Sequence, residues 1–72
     1  MPPEIRRPAR RKILYIHDAA ELFDLRVPPG NRLEALKGDM KGHFSIRIND
    51  QWRATFGWKD GNALDVSVVE YH

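Results

Sequence analysis

The sequence contains no cysteine, which excludes disulfides and cysteine-ligated zinc as sources of stability. It also contains no apolar run near the roughly 20 residues that a bilayer-spanning helix requires. Its arginine-rich beginning lacks the apolar segment of a secretory signal. These absences predict a cytoplasmic protein that folds without covalent cross-links and without a membrane.

The length limits the size of the core. The 72 residues suffice for a single domain over positions 1–72, and a domain of this size buries only about 60% of the surface that its unfolded chain exposes. Such a domain is marginally stable alone. A partner that binds only the folded state would stabilise it by mass action, so we expect a binding partner.

Charge is unevenly distributed along the chain, although the formal net charge is only +2. Residues 1–12 carry five cations against one carboxylate, and residues 32–59 carry six cations against three carboxylates. The segments between and after these blocks are acidic. Two separate basic blocks favour a polyanionic partner. The alternative is a solvated helix face followed by ordinary lysines and arginines on strand surfaces.

The first third of the chain predicts two helices. Apolar residues recur at helical spacing at Ile5, Ala9, Ile13 and Ile16, with Leu14 and Tyr15 beside them. We therefore expect an amphipathic helix over residues 4–17. Pro8 either falls within about the first turn, where a missing N–H is tolerated, or delays the start of the helix. Asp18 followed by Glu21 has the spacing of a capping box and predicts a second helix over residues 19–25.

Residues 44–58 predict a hairpin with one apolar and one basic face. Apolar and polar residues alternate on both sides of Asn49-Asp50-Gln51, which is typical of two strands and their turn. The apolar positions are expected in the core: Phe44, Ile46, Ile48, Trp52, Ala54, Phe56 and Trp58. The opposite face would carry His43, Arg47 and Arg53, so we expect it to be open and basic.

Two more strands complete the expected sheet. Residues 32–36 predict a short strand, and Asp60-Gly61 predicts a tight turn before a strand over residues 63–71. In this last strand Leu64, Val66 and Val68 are expected to share the core face. The predicted fold class is α+β, with two N-terminal helices packed on one face of a four-stranded, mostly antiparallel sheet.

Several short segments, in order, resemble a known family. They are PPGNRLEALKGD at residues 28–39, GHFSIR at 42–47, NDQWR at 49–53 and EYH at 70–72. Together they are similar to the HigB toxins of bacterial toxin–antitoxin pairs, also described as plasmid maintenance killer proteins, within the RelE-like mRNA interferase superfamily. The resemblance extends from about Arg11 to His72.

The resemblance implies a ribosome-dependent endoribonuclease that cleaves translated mRNA without a metal or other cofactor. A helix-turn-helix antitoxin of the HigA-like kind would neutralise it. Two alternatives remain open, a non-catalytic RNA- or ribosome-binding module and a truncated remnant that retains only antitoxin binding. The remnant is considered because HigB-like chains usually begin with an extra strand and the first part of the first helix. We therefore expect a sheet that is one strand short and exposes an edge.

The resemblance also implies site residues. Metal-free cleavage of RNA must activate the 2′-hydroxyl, neutralise charge on the phosphate and protonate the leaving oxygen. Lys37 and Arg53 would neutralise the phosphate. Glu70, Tyr71 and His72 are the candidates for proton transfer, and Tyr71 would also stack on a splayed base. Further candidates for phosphate binding are Arg47, Lys41, His43 and Arg32. No metal-binding residues are predicted.

Three positions depart from the family pattern. The acidic residue before Tyr-His is commonly aspartate, and here it is the longer Glu70. Some relatives carry a histidine just ahead of the LKG segment, where this chain has Glu34. That carboxylate would either serve as a base or repel a phosphate. His43 stands where relatives often have an aromatic residue, so it would supply a second imidazole.

Overall fold

The computed structural model describes residues 3–27 and 29–70. One α-helix precedes four strands, and their bounds are α1 (Arg6–Asp18), β1 (Glu34–Ala35), β2 (His43–Arg47), β3 (Trp52–Lys59) and β4 (Asn62–Glu70). The strands lie in the order β1-β2-β3-β4, and each neighbouring pair is antiparallel. The prediction of an α+β fold with a four-stranded antiparallel sheet is confirmed. Among these residues, none of the helices is both long and apolar enough to cross a membrane.

The prediction of two N-terminal helices is wrong. Helix α1 extends to Asp18 itself, and the chain then forms only a five-residue 3-10 helix, Leu22–Arg26. The cap of this short helix begins at Glu21, whose backbone N–H donates to the Asp24 carboxylate at 3.0 Å. The second α-helix is absent because the backbone is extended at Ala19 and Glu21, which leaves only the residues from Leu22 to Arg26 in a helical conformation.

The first helix has the expected amphipathic pattern. Ile5, Ala9 and Ile16 are buried, and Pro8 lies in the first turn of α1, where a backbone N–H has no partner within the helix. Leu14 and Tyr15, which the spacing placed beside these residues, are exposed. The apolar stripe of α1 is therefore narrower than the sequence predicts.

The core lies between α1 and one face of the sheet. Its buried residues are Ile16, Leu25, Ile46, Ala54 and Phe56. The Phe56 ring is central, with its centroid 6.1 Å from that of Phe44 and 6.5 Å from that of Trp58. Phe44, Ile48 and Trp58 pack against this cluster, which confirms the apolar face predicted for the central hairpin except at Trp52, which is half-buried and is not among these residues.

A buried asparagine fixes the loop between α1 and β1. Asn31 is fully buried, and its Nδ2 donates to the carbonyl oxygens of Leu25 at 3.2 Å and Val27 at 3.3 Å. The ammonium group of Lys12 donates to the Asn31 Oδ1. Burial, and then repulsion from Arg11, lowers the pKa of Lys12. One polar side chain thereby ties the loop to the helix.

A β-bulge in β4 reverses the expected direction of Leu64. Thr55 pairs with Ser67 but Gly57 pairs with Leu64, so β4 contains one more residue than β3 over this interval. Asp65 accommodates the extra residue with a φ of 52°. Val66 packs against the core, whereas Leu64 lies on the opposite face and is 44% exposed. The prediction that Leu64 shares the core face is wrong because the bulge interrupts the alternation.

Candidate functional site

Two arginines lie side by side on the face of the sheet opposite α1. Arg47 of β2 and Arg53 of β3 are direct cross-strand partners, so their side chains leave the sheet from adjacent positions. Like charges at such positions repel each other. Each arginine is compensated by its own carboxylate, and the two ion pairs differ in burial and in geometry.

Arg53 is bound by the carboxylate of Glu34 and by the hydroxyl of Ser45. Its Nη1 and Nη2 donate to the two Glu34 oxygens at 2.9 and 3.2 Å, and Nη1 also donates to Ser45 Oγ at 2.7 Å. Only 10% of the Arg53 side chain is exposed, against 56% of the Glu34 side chain. The hydrogen bond from Arg53, together with its charge, lowers the pKa of Glu34. The pair is therefore a bidentate, charged contact between β1 and β3.

Arg47 forms an ion pair with Asp50 in the turn between β2 and β3. Asn49 shapes this turn, because its Oδ1 accepts the backbone N–H groups of Gln51 at 2.8 Å and Trp52 at 2.9 Å. Asp50 is almost fully exposed, and exposed ion pairs contribute little free energy. Arg47 is accordingly more available to a polyanion than Arg53.

Two predicted cations flank the short 3-10 helix Gly38–Met40 that connects β1 to β2. Lys37 immediately precedes this helix and Lys41 immediately follows it, and both side chains are exposed. The turn is held by hydrogen bonds from the Met40 N–H to the Lys37 carbonyl and from the Lys41 N–H to the Gly38 carbonyl. Arg32 is also exposed and precedes β1. These three cations thus border the first two strands.

The His43 ring lies close to a glycine of the neighbouring strand. It is half-buried and pairs with Gly57, where a Cβ atom would lie 3.4 Å from the His43 Nε2. Within the part of the chain that the structure describes, its buried Nδ1 has no hydrogen-bond partner. The sequence interpretation assigned no role to Gly57, although a glycine inside a strand is a signal of close approach by another group.

The predicted proton-transfer residues lie at the end of β4. Glu70 is the last residue of that strand, is exposed, and pairs with Trp52. Because Val69 pairs with Arg53, the alternation of a strand directs Glu70 to the other face of the sheet. Tyr71 and His72 lie outside the described residues. The structure therefore brings Arg47, Arg53 and His43 onto one face, and the roles assigned at residues 70–72 remain predictions.

The rest of the described fold holds a cavity but no metal site. Within residues 3–27 and 29–70, no three histidine or carboxylate side chains gather closely enough to hold a metal ion. A cavity of about 180 Å³ lies beside α1, and its lining includes Tyr15, Asp24 and Val27. Since these residues belong to the helical layer, the cavity is separate from the basic face.

Comparison with known proteins relates this arrangement to one family. The family model described as the RelE-like toxin of the type II toxin–antitoxin system HigB matches residues 1–72. Toxin HigB-1 of Vibrio cholerae serotype O1 is 46% identical over 65 residues, which cover 90% of this chain and 68% of that protein. Endoribonuclease HigB of Proteus vulgaris is 39% identical over 63 residues, covering 79% of this chain and 68% of that protein. The chain therefore belongs to the HigB-like family of RelE-like toxins from type II toxin–antitoxin systems.

Proposed function

We propose that this protein is an endoribonuclease toxin that cleaves translated mRNA on the ribosome, in the cytoplasm, and is neutralised by a cognate helix-turn-helix, HigA-like antitoxin. Membership of the family supports the toxin role, and the name of the Proteus vulgaris relative supports RNA cleavage. The structural observation that supports RNA as the substrate is the cross-strand pair of Arg47 and Arg53. Adjacent guanidinium groups suit a phosphodiester backbone, since each can bind phosphate oxygens bidentately.

The proposed chemistry needs no metal and divides the work among the predicted residues. Arg53 and Lys37 would neutralise the charge that develops on the scissile phosphate. His72 would take the proton of the 2′-hydroxyl or give one to the leaving 5′-oxygen. Glu70, whose side chain lies on the face away from Arg53, is given no step. Tyr71 would stack on a base turned out of the strand. The flanking phosphates would be bound by Arg47, Lys41, His43 and Arg32.

A non-catalytic RNA-binding module is the second candidate. It is supported by the basic face formed by Arg47, Arg53 and His43, because phosphate binding there requires no proton-transfer residue. In this case RNA would bind along the face through its phosphates and dissociate without cleavage. The two candidates differ in one measurable respect, because only the first requires a proton-transfer residue.

The test is inducible expression in bacteria, followed by mapping of mRNA 5′ ends. The wild type would be compared with His72→Ala and with a matched control, His17→Ala, at an exposed position near the end of α1. We expect growth arrest and new 5′ ends within coding regions for the wild type and for His17→Ala. We expect neither for His72→Ala, and we expect the antitoxin to restore growth when co-expressed.

Different results would contradict different parts of the proposal. If soluble wild-type protein causes neither growth arrest nor new 5′ ends, the nuclease function is wrong. RNA binding retained in that protein would support the non-catalytic module. Cleavage that persists in His72→Ala would remove His72 from the mechanism. A second pair, Lys37→Ala with the exposed Lys59→Ala as control, tests in the same way whether Lys37 contributes to cleavage.

A further inference from the structure

Arg53 is assigned to the substrate phosphate, yet its guanidinium is already occupied by an anion. Both terminal nitrogens donate to the two carboxylate oxygens of Glu34, and only 10% of the Arg53 side chain is exposed. A carboxylate and a phosphodiester both present a pair of anionic oxygens to a guanidinium fork. The Glu34 oxygens therefore occupy the positions where the oxygens of a bound phosphate would lie.

We propose that Glu34 is an internal surrogate for the RNA phosphate, which holds the Arg53 guanidinium in the free protein and is displaced from it by substrate. The inference rests on the proposed function and adds a residue to it. Glu34 becomes a positioning residue that regulates access to Arg53, rather than a general base.

The burial of the two partners indicates which of them moves. More than half of the Glu34 side chain is exposed, and Glu34 belongs to β1, an edge strand of only two residues. Arg53 is buried in β3, between β2 and β4. Rotation of the Glu34 side chain into water would therefore withdraw its two oxygens from the guanidinium, while Arg53 keeps its place in β3.

Ser45 would hold the Arg53 guanidinium in place while a phosphate replaces the Glu34 carboxylate. It is fully buried, and its hydroxyl accepts from Arg53 Nη1 at 2.7 Å. Removal of one partner from a buried ion pair is strongly destabilising, so the departure of Glu34 is favoured only when another anion takes its place. Exchange of one pair of anionic oxygens for another meets this requirement, while Ser45 keeps the guanidinium oriented.

Glu34→Gln tests the competition between the carboxylate and a phosphate. The amide keeps an oxygen that can accept one Arg53 hydrogen bond but removes the competing charge. We expect the variant to bind inorganic phosphate, and a short 2′-deoxy oligonucleotide that cannot be cleaved, about tenfold more tightly than the wild type. Glu4→Gln makes the same change at an exposed position, and we expect it to alter the affinity less than about twofold.

A direct readout follows the carboxyl carbon of Glu34 by NMR in the wild-type protein. Arg53 holds the pKa of Glu34 below its ordinary value in the free protein. Addition of phosphate should raise that pKa toward the ordinary value, because the carboxylate loses its partner, whereas chloride at equal ionic strength should leave it lowered. A salt bridge with only a structural role would not respond to phosphate in this way.

Unchanged or weaker phosphate binding by folded Glu34→Gln would overturn the proposal, as would a Glu34 titration that phosphate leaves unaltered. If the variant does not fold, the wild-type titration decides alone. Neither readout requires cleavage. Displacement of Glu34 by phosphate in a protein that never cleaves mRNA would uphold this inference and refute the nuclease. Cleavage by a protein whose Glu34 stays on Arg53 would refute only this inference.

Discussion

The side-chain amide of Asn31 donates to the backbone carbonyl of Leu25 at 3.2 Å, inside the protein. The same amide nitrogen reaches the Val27 carbonyl, and the amide oxygen accepts from Lys12. These contacts join the 3-10 helix Leu22–Arg26 and the residue that follows it to α1. Such a residue contributes to stability mainly through what its removal leaves unsatisfied.

Asn31→Ala should therefore lower the free energy of unfolding by about 2–3 kcal/mol, because the buried Leu25 carbonyl loses its donor and the Lys12 ammonium group loses its acceptor. Urea denaturation followed by circular dichroism measures this change. Asn62→Ala is the matched control, since Asn62 also donates to a backbone carbonyl, that of Asp60 at 3.2 Å, but is exposed. It should cost less than about 0.5 kcal/mol. Equal costs at the two positions would contradict this account of Asn31.

The most buried and the most exposed phenylalanine allow a second comparison of stability. Phe56 has no exposed surface, whereas Phe23 is 67% exposed. Phe56→Ala should lower the free energy of unfolding by about 3–5 kcal/mol, since it leaves a cavity at the centre of the core. Phe23→Ala should cost at most about 1 kcal/mol, which is the loss of its contact with Arg26. A larger loss for Phe23→Ala in the isolated protein would contradict the packing described here.

The Glu34–Arg53 pair predicts a pH dependence of stability. Arg53 lowers the pKa of Glu34 in the folded state, so the unfolded state binds more protons in the acidic range. The stabilisation is present above the pKa of the unfolded carboxyl and is lost as the pH falls through the folded value. The difference in free energy of unfolding between the wild type and Glu34→Gln should be largest near about pH 7 and should close toward about pH 2. A difference that stays constant over this range would show that the pair does not control it.

The bulge in β4 predicts which side chains position 65 accepts. Asp65 has a φ of 52°, a conformation that aspartate and asparagine adopt far more readily than β-branched residues. Asp65→Asn should change the free energy of unfolding by less than about 0.5 kcal/mol, and Asp65→Val should lower it by about 1–2 kcal/mol. Urea denaturation of both variants tests this. Equal stability of the two would mean that the bulge moves away from position 65.

Local signals predicted the strands of the hairpins well. The alternation over β3 placed Ala54 and Phe56 in the core, where both are fully buried. Asp60 and Gly61 both have positive φ, at 53° and 78°, as a two-residue hairpin turn requires. These features depend on residues that are close together in the chain, so a pattern read along the sequence is sufficient.

The wrong predictions came from positions where local signals compete. Asp18 and Glu21 have the spacing of a helix cap, but α1 continues through Asp18 and the cap forms between Glu21 and Asp24. Leu64 fits the alternation of β4, but the register with β3 requires an extra residue next to it. In both cases, how the segment packs against its neighbours determined which of two plausible patterns forms.

By itself, the sequence determined the order of most elements, the apolar face of the central hairpin, the positive charge of the opposite face and the family. Only the tertiary structure decided how the charges on that face are paired. Glu34 and Arg53 are 19 residues apart in sequence. They meet across β2, because the register of β2 with β1 and with β3 brings both side chains close to Ser45. That register depends on the sheet as a whole, because a shift of one residue would turn each side chain to the other face.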